Sequence, residues 1–221
     1  MAGEPVVTCV GVGRAYRTVD GAVWAFRHVD LEVGAGSLTV LAGPSGSGKS
    51  TLLRIIAALD RPTEGSITVE GIEIGGMPER DRRRWRRSRL GYVFQDPADN
   101  LLPYLTVREH LETAAGIRGR GGDGLDLAEK LEVSELLTER PERLSSGQQQ
   151  RVALAMAAVG RPALVVADEP TAELDQTSAV LAIDTLLALR DTGSTVVVSS
   201  HDSDVIRRAD IVHRLEHHRS G

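Results

Sequence analysis

The chain has 221 residues, 41% hydrophobic and 26% charged, which suits one globular domain with a buried core and excludes disorder by composition. Aromatics at 3% and a net charge of -5 argue against a base-stacking platform and against general affinity for nucleic acid. A single cysteine, Cys9, excludes an internal disulfide and any multi-cysteine metal site.

In chain order, residues 6–10, 29–33 and 38–42 read as short β-type runs separated by glycine-rich breaks. Residues 52–59 carry apolar positions at helical spacing, and 65–71 alternate apolar and polar between two glycines, as in a half-buried strand. Residues 80–89 hold seven arginines around Trp85, which reads as the solvated face of a helix, with a headgroup or nucleic-acid surface as the alternative. The span 106–137 predicts helices broken at Gly119-Arg120-Gly121-Gly122, a small helical lobe. Residues 163–167 and 195–198 are continuous apolar runs, as in a parallel sheet covered on both faces, and 178–189 between them is helical in pattern. The alternation predicts an α/β fold. The apolar stretch 152–167 is cut by Gly160-Arg161-Pro162, so it is not expected to cross a bilayer. Met1-Ala2-Gly3-Glu4-Pro5 lacks the basic and apolar regions of a signal peptide, and a cytoplasmic protein is expected. His213, His217 and His218 have no acidic or cysteine companions for a metal cage and read as an exposed tail.

Gly43-Pro44-Ser45-Gly46-Ser47-Gly48-Lys49-Ser50 fits G-x-x-x-x-G-K-[ST] between a strand and a helix that Thr51 opens. Glycines let backbone N–H groups turn inward around phosphate oxygens, and the helix N-terminus adds partial positive charge. Lys49 supplies a point charge at the outer phosphates and Ser50 a hydroxyl for Mg²⁺, so a bound nucleoside triphosphate is expected. Residues 164–169 form an apolar strand ending in Asp168 and Glu169, where α/β sheets bind ligands. Asp168 suits the Mg²⁺ shell and Glu169 suits polarising the attacking water.

Leu144-Ser145-Ser146-Gly147-Gln148-Gln149-Gln150-Arg151 resembles the LSGGQ signature of ATP-binding cassette ATPases, with Ser146 in place of the first glycine. The remaining family elements follow in order. Tyr16 looks like the aromatic that stacks on adenine, and Gln95, after Gly91-Tyr92-Val93-Phe94, like the glutamine that senses Mg²⁺ and the membrane partner. Ala172-Glu173-Leu174-Asp175 looks like the D-loop, with Ala172 where serine is usual, and His201 like the switch histidine at the γ-phosphate. Residues 100–109 and Ala167-Asp168-Glu169-Pro170-Thr171 are similar to the macrolide-efflux and lipoprotein-releasing exporters.

The resemblance implies a P-loop NTPase core with an N-terminal antiparallel β subdomain and a helical subdomain. Residues 1–95 and 160–221 would form the catalytic lobe and 96–159 the signature lobe. It implies a head-to-tail homodimer in which Ser145, Ser146, Gly147 and Gln148 of one copy complete the ATP site of the other. It also implies a transmembrane permease supplied in trans, and a place on the cytoplasmic face of the membrane. The other family roles are an ATP-gated regulator of the cell-division type and a soluble cassette ATPase outside transport.

Overall fold

Two long strands, β1 (Val7–Thr18) and β2 (Gly21–Val33), open the chain and pair antiparallel. The computed structural model describes residues 4–19, 21–119 and 123–216. The glycine-rich break expected after residue 10 is no break. The register of β1 slips between Cys9 and Val12 and again between Val12 and Arg14, so the strand bulges and continues. Gly65 shows why glycine is needed there, since a Cβ on it would lie 2.4 Å from the Gly11 backbone. After β3 (Leu38–Ala42) and α1 (Lys49–Ile56), the strands β4 (Glu64–Val69) and β5 (Ile72–Glu73) complete an antiparallel sheet of order β2-β1-β4-β5.

The arginine run forms α2 (Glu79–Arg89), but its face is not all solvated. Arg82 is 3% exposed, and its guanidinium and that of Arg86 donate to the carbonyl of Ala58, just past the end of α1. Cations at a helix C-terminus satisfy orphaned carbonyls and oppose the dipole. Spacing within 80–89 gives no hint of this, because the acceptor lies 24 residues upstream.

The rest of the chain alternates: β6 (Leu90–Val93), α3 (Val107–Arg118), α4 (Asp123–Lys130), α5 (Ser146–Ala158), β7 (Leu164–Asp168), α6 (Gln176–Asp191), β8 (Val196–Ser200), α7 (Ser203–Arg208) and β9 (Ile211–Arg214). Five strands pair in parallel in the order β6-β7-β8-β3-β9. The apolar runs are continuous because both faces are covered. Val165 and Ala167 of β7 and Val196 and Val198 of β8 enter the core shared with α3 to α6. Leu164, Val166 and Val197 enter the other core, with α1, Trp85 and the antiparallel sheet. Gly91 permits α5 to approach β6, since a Cβ there would sit 1.9 Å from the Ala157 carbonyl oxygen. His213 is not in a tail but in β9, opposite Leu41, with Nε2 3.2 Å from the carbonyl oxygen of Glu32. His217 and His218 lie outside the described residues.

Of the break expected at residues 119–122, Gly119 caps α3 in the left-handed conformation (φ 68°), and residues 120–122 lie outside the described residues. At the other end, Thr106 and Glu109 form a reciprocal capping box. His110, 2% exposed, accepts from Leu102 N–H at Nε2 (2.8 Å) while Nδ1 lies 2.8 Å from the carbonyl oxygen of Thr106. The first bond needs a bare Nε2, so the folded state holds the neutral imidazole. Burial lowers the His110 pKa, opposed by the Thr106 bond and Glu109. The unfolded chain takes up this proton first as pH falls, so the residue costs stability below about pH 6.5, the ordinary histidine value. Thermal melts are expected to show a smaller loss between pH 7.5 and 5 in His110→Gln than in the unsubstituted protein. Equal losses would show that His110 is not the titrating group.

Candidate active site

Strand order decides which loops meet. With β7 and β8 between β6 and β3, segments following residues 42, 93, 168 and 200 line up along the carboxyl edge of one sheet. There they enclose a cleft of about 510 Å³. Pro44, Ser45, Gly46, Gly48, Lys49, Ser50 and Thr51 line it from the glycine-rich loop. Gln95, Glu169, Ala172 and His201 line it from the other strands. Ala25 of β2 closes one side, a contribution with no sequence signal.

The loop is shaped by what cannot fit. Gly48, at φ 88°, caps α1, and a Cβ there would meet Phe26 Cδ1 at 2.8 Å and the Ala25 carbonyl oxygen at 2.9 Å. A Cβ on Gly43 would lie 2.4 Å from the Leu215 carbonyl oxygen. The first turn of α1 holds no acidic residue of its own, and Lys49, Ser50 and Thr51 of that turn line the cleft. Gly43 and Ser47 are not among the cleft-lining residues. Ser47 is wholly buried, and its hydroxyl has no hydrogen-bond partner among the described residues.

Lys49 is 6% exposed and spends its three donors on the Gly43 carbonyl (3.0 Å), the Pro44 carbonyl (3.2 Å) and Glu169 Oε1 (3.3 Å). The other oxygen of Glu169 lies 3.0 Å from His201 Nδ1. Glu169 itself sits at φ 43°, the left-handed region, and Ser199 holds its N–H through both the carbonyl (3.1 Å) and the hydroxyl (2.9 Å). Such strain in a non-glycine residue persists only where the surroundings over-determine it. Beside it, the hydroxyls of Ser50 (2.9 Å) and Ser199 both donate to Asp168 Oδ1. Ser199 is the residue that motif reading missed. Its signal was faint, a buried Ser199-Ser200 pair ending an apolar strand.

Gln95 is exposed beyond β6, and its loop is braced by Asn100, which accepts from Phe94 N–H (2.8 Å) and donates to the Asp96 carbonyl (3.1 Å). Tyr16, 41% exposed on β1, places its hydroxyl 3.5 Å from Thr51 Oγ1, with the Arg14 guanidinium 4.7 Å from its ring centroid.

Ser145, Ser146, Gly147 and Gln148 do not line the cleft. Ser145 caps α5 in a reciprocal box with Gln148, and Ser146 is exposed in the first turn. Gly147 is buried instead. A Cβ on it would meet the Ser178 Cβ and Oγ at 2.5 Å, so its lack of a side chain lets α5 pack on the start of α6. Asp175 caps α6 by accepting from Ser178 N–H (3.0 Å) and Oγ (2.7 Å).

A family model described as "ABC transporter" matches residues 26–172. The chain is 37% identical over 210 residues to "Lipoprotein-releasing system ATP-binding protein LolD 1" of Caulobacter vibrioides, covering 92% of this chain and 89% of that one. It is 37% identical over 212 residues to "Macrolide export ATP-binding/permease protein MacB 1/2" of Paracoccus denitrificans, covering 94% of this chain but 31% of that longer protein. Among solved structures, the dimeric bacterial ABC transporter cassette MJ0796 superposes with a TM-score of 0.84 at 33% identity, covering 95% of this chain and 94% of that one. With the glycine-rich loop and Glu169 lining one cleft and Asp168 bonded to Ser50 of that loop, these similarities show that the chain belongs to the ABC transporter family.

Proposed function

We propose that this chain is the ATP-binding and ATP-hydrolysing subunit of an ABC exporter, acting on a permease carried by a separate chain. One observation carries the reading. A phosphate-type loop and a Lys49–Glu169–His201 chain of contacts line a single cleft, and Asp168 reaches it through the hydroxyl of Ser50, which lines it. The donor set fits Mg-ATP: glycines that a Cβ would block, a buried cation with movable bonds, and hard oxygen ligands. Ser50, Asp168 and Gln95 would hold Mg²⁺, which when bound neutralises charge on phosphate oxygens. Lys49 exchanges its carbonyl and carboxylate partners for phosphate oxygens. Glu169, thereby released, orients water and accepts its proton at a carboxylate oxygen, with His201 alongside.

Two copies act together in this reading, each signature segment completing the partner's site. It is supported by the position of residues 145–148 outside the cleft, at the N-terminus of α5, and by the dimeric state of the similar cassette. The division into a catalytic lobe (1–95 and 160–221) and a signature lobe (96–159) belongs to the same reading. A permease in trans accords with the MacB relative, whose name joins ATP-binding and permease functions and of which this chain spans 31%. Among the described residues no helix is long and apolar enough to cross a membrane. A place on the cytoplasmic face is part of the proposal.

Phosphate release measured against protein concentration tests it. Turnover per chain is expected to rise with concentration and then saturate as dimers form. Turnover per chain that is constant down to nanomolar concentration would show that one copy holds the whole site, and no ATP turnover at all would remove the enzymatic reading.

A further inference from the structure

Helix α2 divides its seven arginines between two faces. Arg82 and Arg86 are drawn inward to Ala58, Arg86 also pairs with Glu79 (2.9 Å), and Arg89 pairs with Glu70 (3.3 Å). Trp85 is buried on the same side. Arg80, Arg83, Arg84 and Arg87 remain, all exposed. Their spacing is i, i+3, i+4, i+7, so they form one stripe about 10 Å long on the outer side of the helix. None of the four side chains has an ion pair or hydrogen bond among the described residues.

Four unneutralised charges in a row, on a chain of net charge -5, repel one another and cost stability unless an anionic surface meets them. We infer that this stripe docks on anionic phospholipid headgroups. The inference rests on the reading of the chain as a membrane-transporter subunit. Charge complementarity and the shape of the surface favour lipid over other polyanions. A protein interface needs apolar anchors at its centre, and no exposed large hydrophobic residue lies in α2. A single-strand nucleic-acid site needs stacking aromatics, and the one aromatic of this helix, Trp85, is buried. A convex row of guanidinium groups, each able to take a phosphate bidentately, needs only a plane of phosphates.

Each arginine near an anionic leaflet strengthens binding by about five-fold. The test is co-sedimentation of the purified chain, without nucleotide, with vesicles of phosphatidylcholine alone or with 30% phosphatidylglycerol (about physiological charge). Binding is expected only with phosphatidylglycerol and is expected to weaken from 50 to 300 mM salt. The variant Arg80→Gln/Arg83→Gln/Arg84→Gln/Arg87→Gln is expected to lose at least ten-fold in vesicle affinity. Its melting temperature is expected to equal or exceed the parent's, because the mutual repulsion is removed, and its ATP turnover in solution is expected to stay that of the parent. A variant with Arg17, Arg108, Arg140 and Arg143 changed to Gln, equal in charge, is expected to retain binding. No binding of the parent to anionic vesicles overturns the inference, as does equal loss in both variants. Binding to a DNA oligonucleotide or to polyglutamate in place of the vesicles overturns it too. Because no nucleotide is present, failure here is separate from failure of the ATPase reading, which phosphate release judges alone.

Discussion

Glu169→Gln is expected to reduce ATP turnover by about a hundred-fold or more while nucleotide binding persists. The carboxylate sits between Lys49 (3.3 Å) and His201 (3.0 Å), with its backbone N–H pinned by Ser199. Glutamine keeps the shape and loses the negative charge, so the site keeps its geometry but has no group to take the water proton. The substitution also frees Lys49 from its ion pair, and ATP affinity is therefore expected to stay level or rise. The variant should accumulate as an ATP-bound dimer on size-exclusion chromatography. Phosphate release at the parent rate would show that Glu169 is not the base.

Lys49→Ala acts at the earlier step. Lys49 is one of only two lysines, and the loop around it places no second cation at the cleft floor. Its loss removes charge-assisted bonds to phosphate and leaves Glu169 facing the triphosphate without a counter-charge. ATP affinity is expected to fall about 10- to 100-fold in a fluorescence titration. The melting temperature distinguishes this from unfolding, because the bonds to the Gly43 and Pro44 carbonyls are lost as well. An unchanged affinity in a folded variant would mean that the loop does not cradle phosphate.

The shape of the loop from Gly43 to Ser50 was legible in the chain because it depends on contiguous residues, where spacing is geometry. The same holds for Asp168-Glu169 at the end of an apolar run, and for the capping residues Thr106 and Ser145, whose partners lie three positions on. His201, Gln95 and Tyr16 stood out only through resemblance to a family, since a lone polar residue at a strand end carries no local signal. Ser199 was overlooked for the same reason, although it donates to Asp168 and holds the Glu169 N–H. Arg82 was misplaced on a solvated face because its acceptor, the Ala58 carbonyl, lies just past the end of α1, 24 residues upstream.

Local order thus belongs to the sequence: the α/β alternation, the phosphate loop, the break between α3 and α4, and an arginine-rich helix all follow from residues within a turn or two of one another. What required the tertiary structure was adjacency. The order β6-β7-β8-β3-β9 sets residues 95, 169, 201 and 43 side by side, and no spacing along the chain encodes that order. The N-terminal strands became long because Gly11 and Gly65 fit against each other across a bulge, a condition visible only when both are present. Gly147 is needed for the approach of α6, and Gly91 for that of α5. Short-range preference chooses the elements. Close packing, in which one carbon at 1.9 Å from a carbonyl oxygen forbids an arrangement, chooses how they meet.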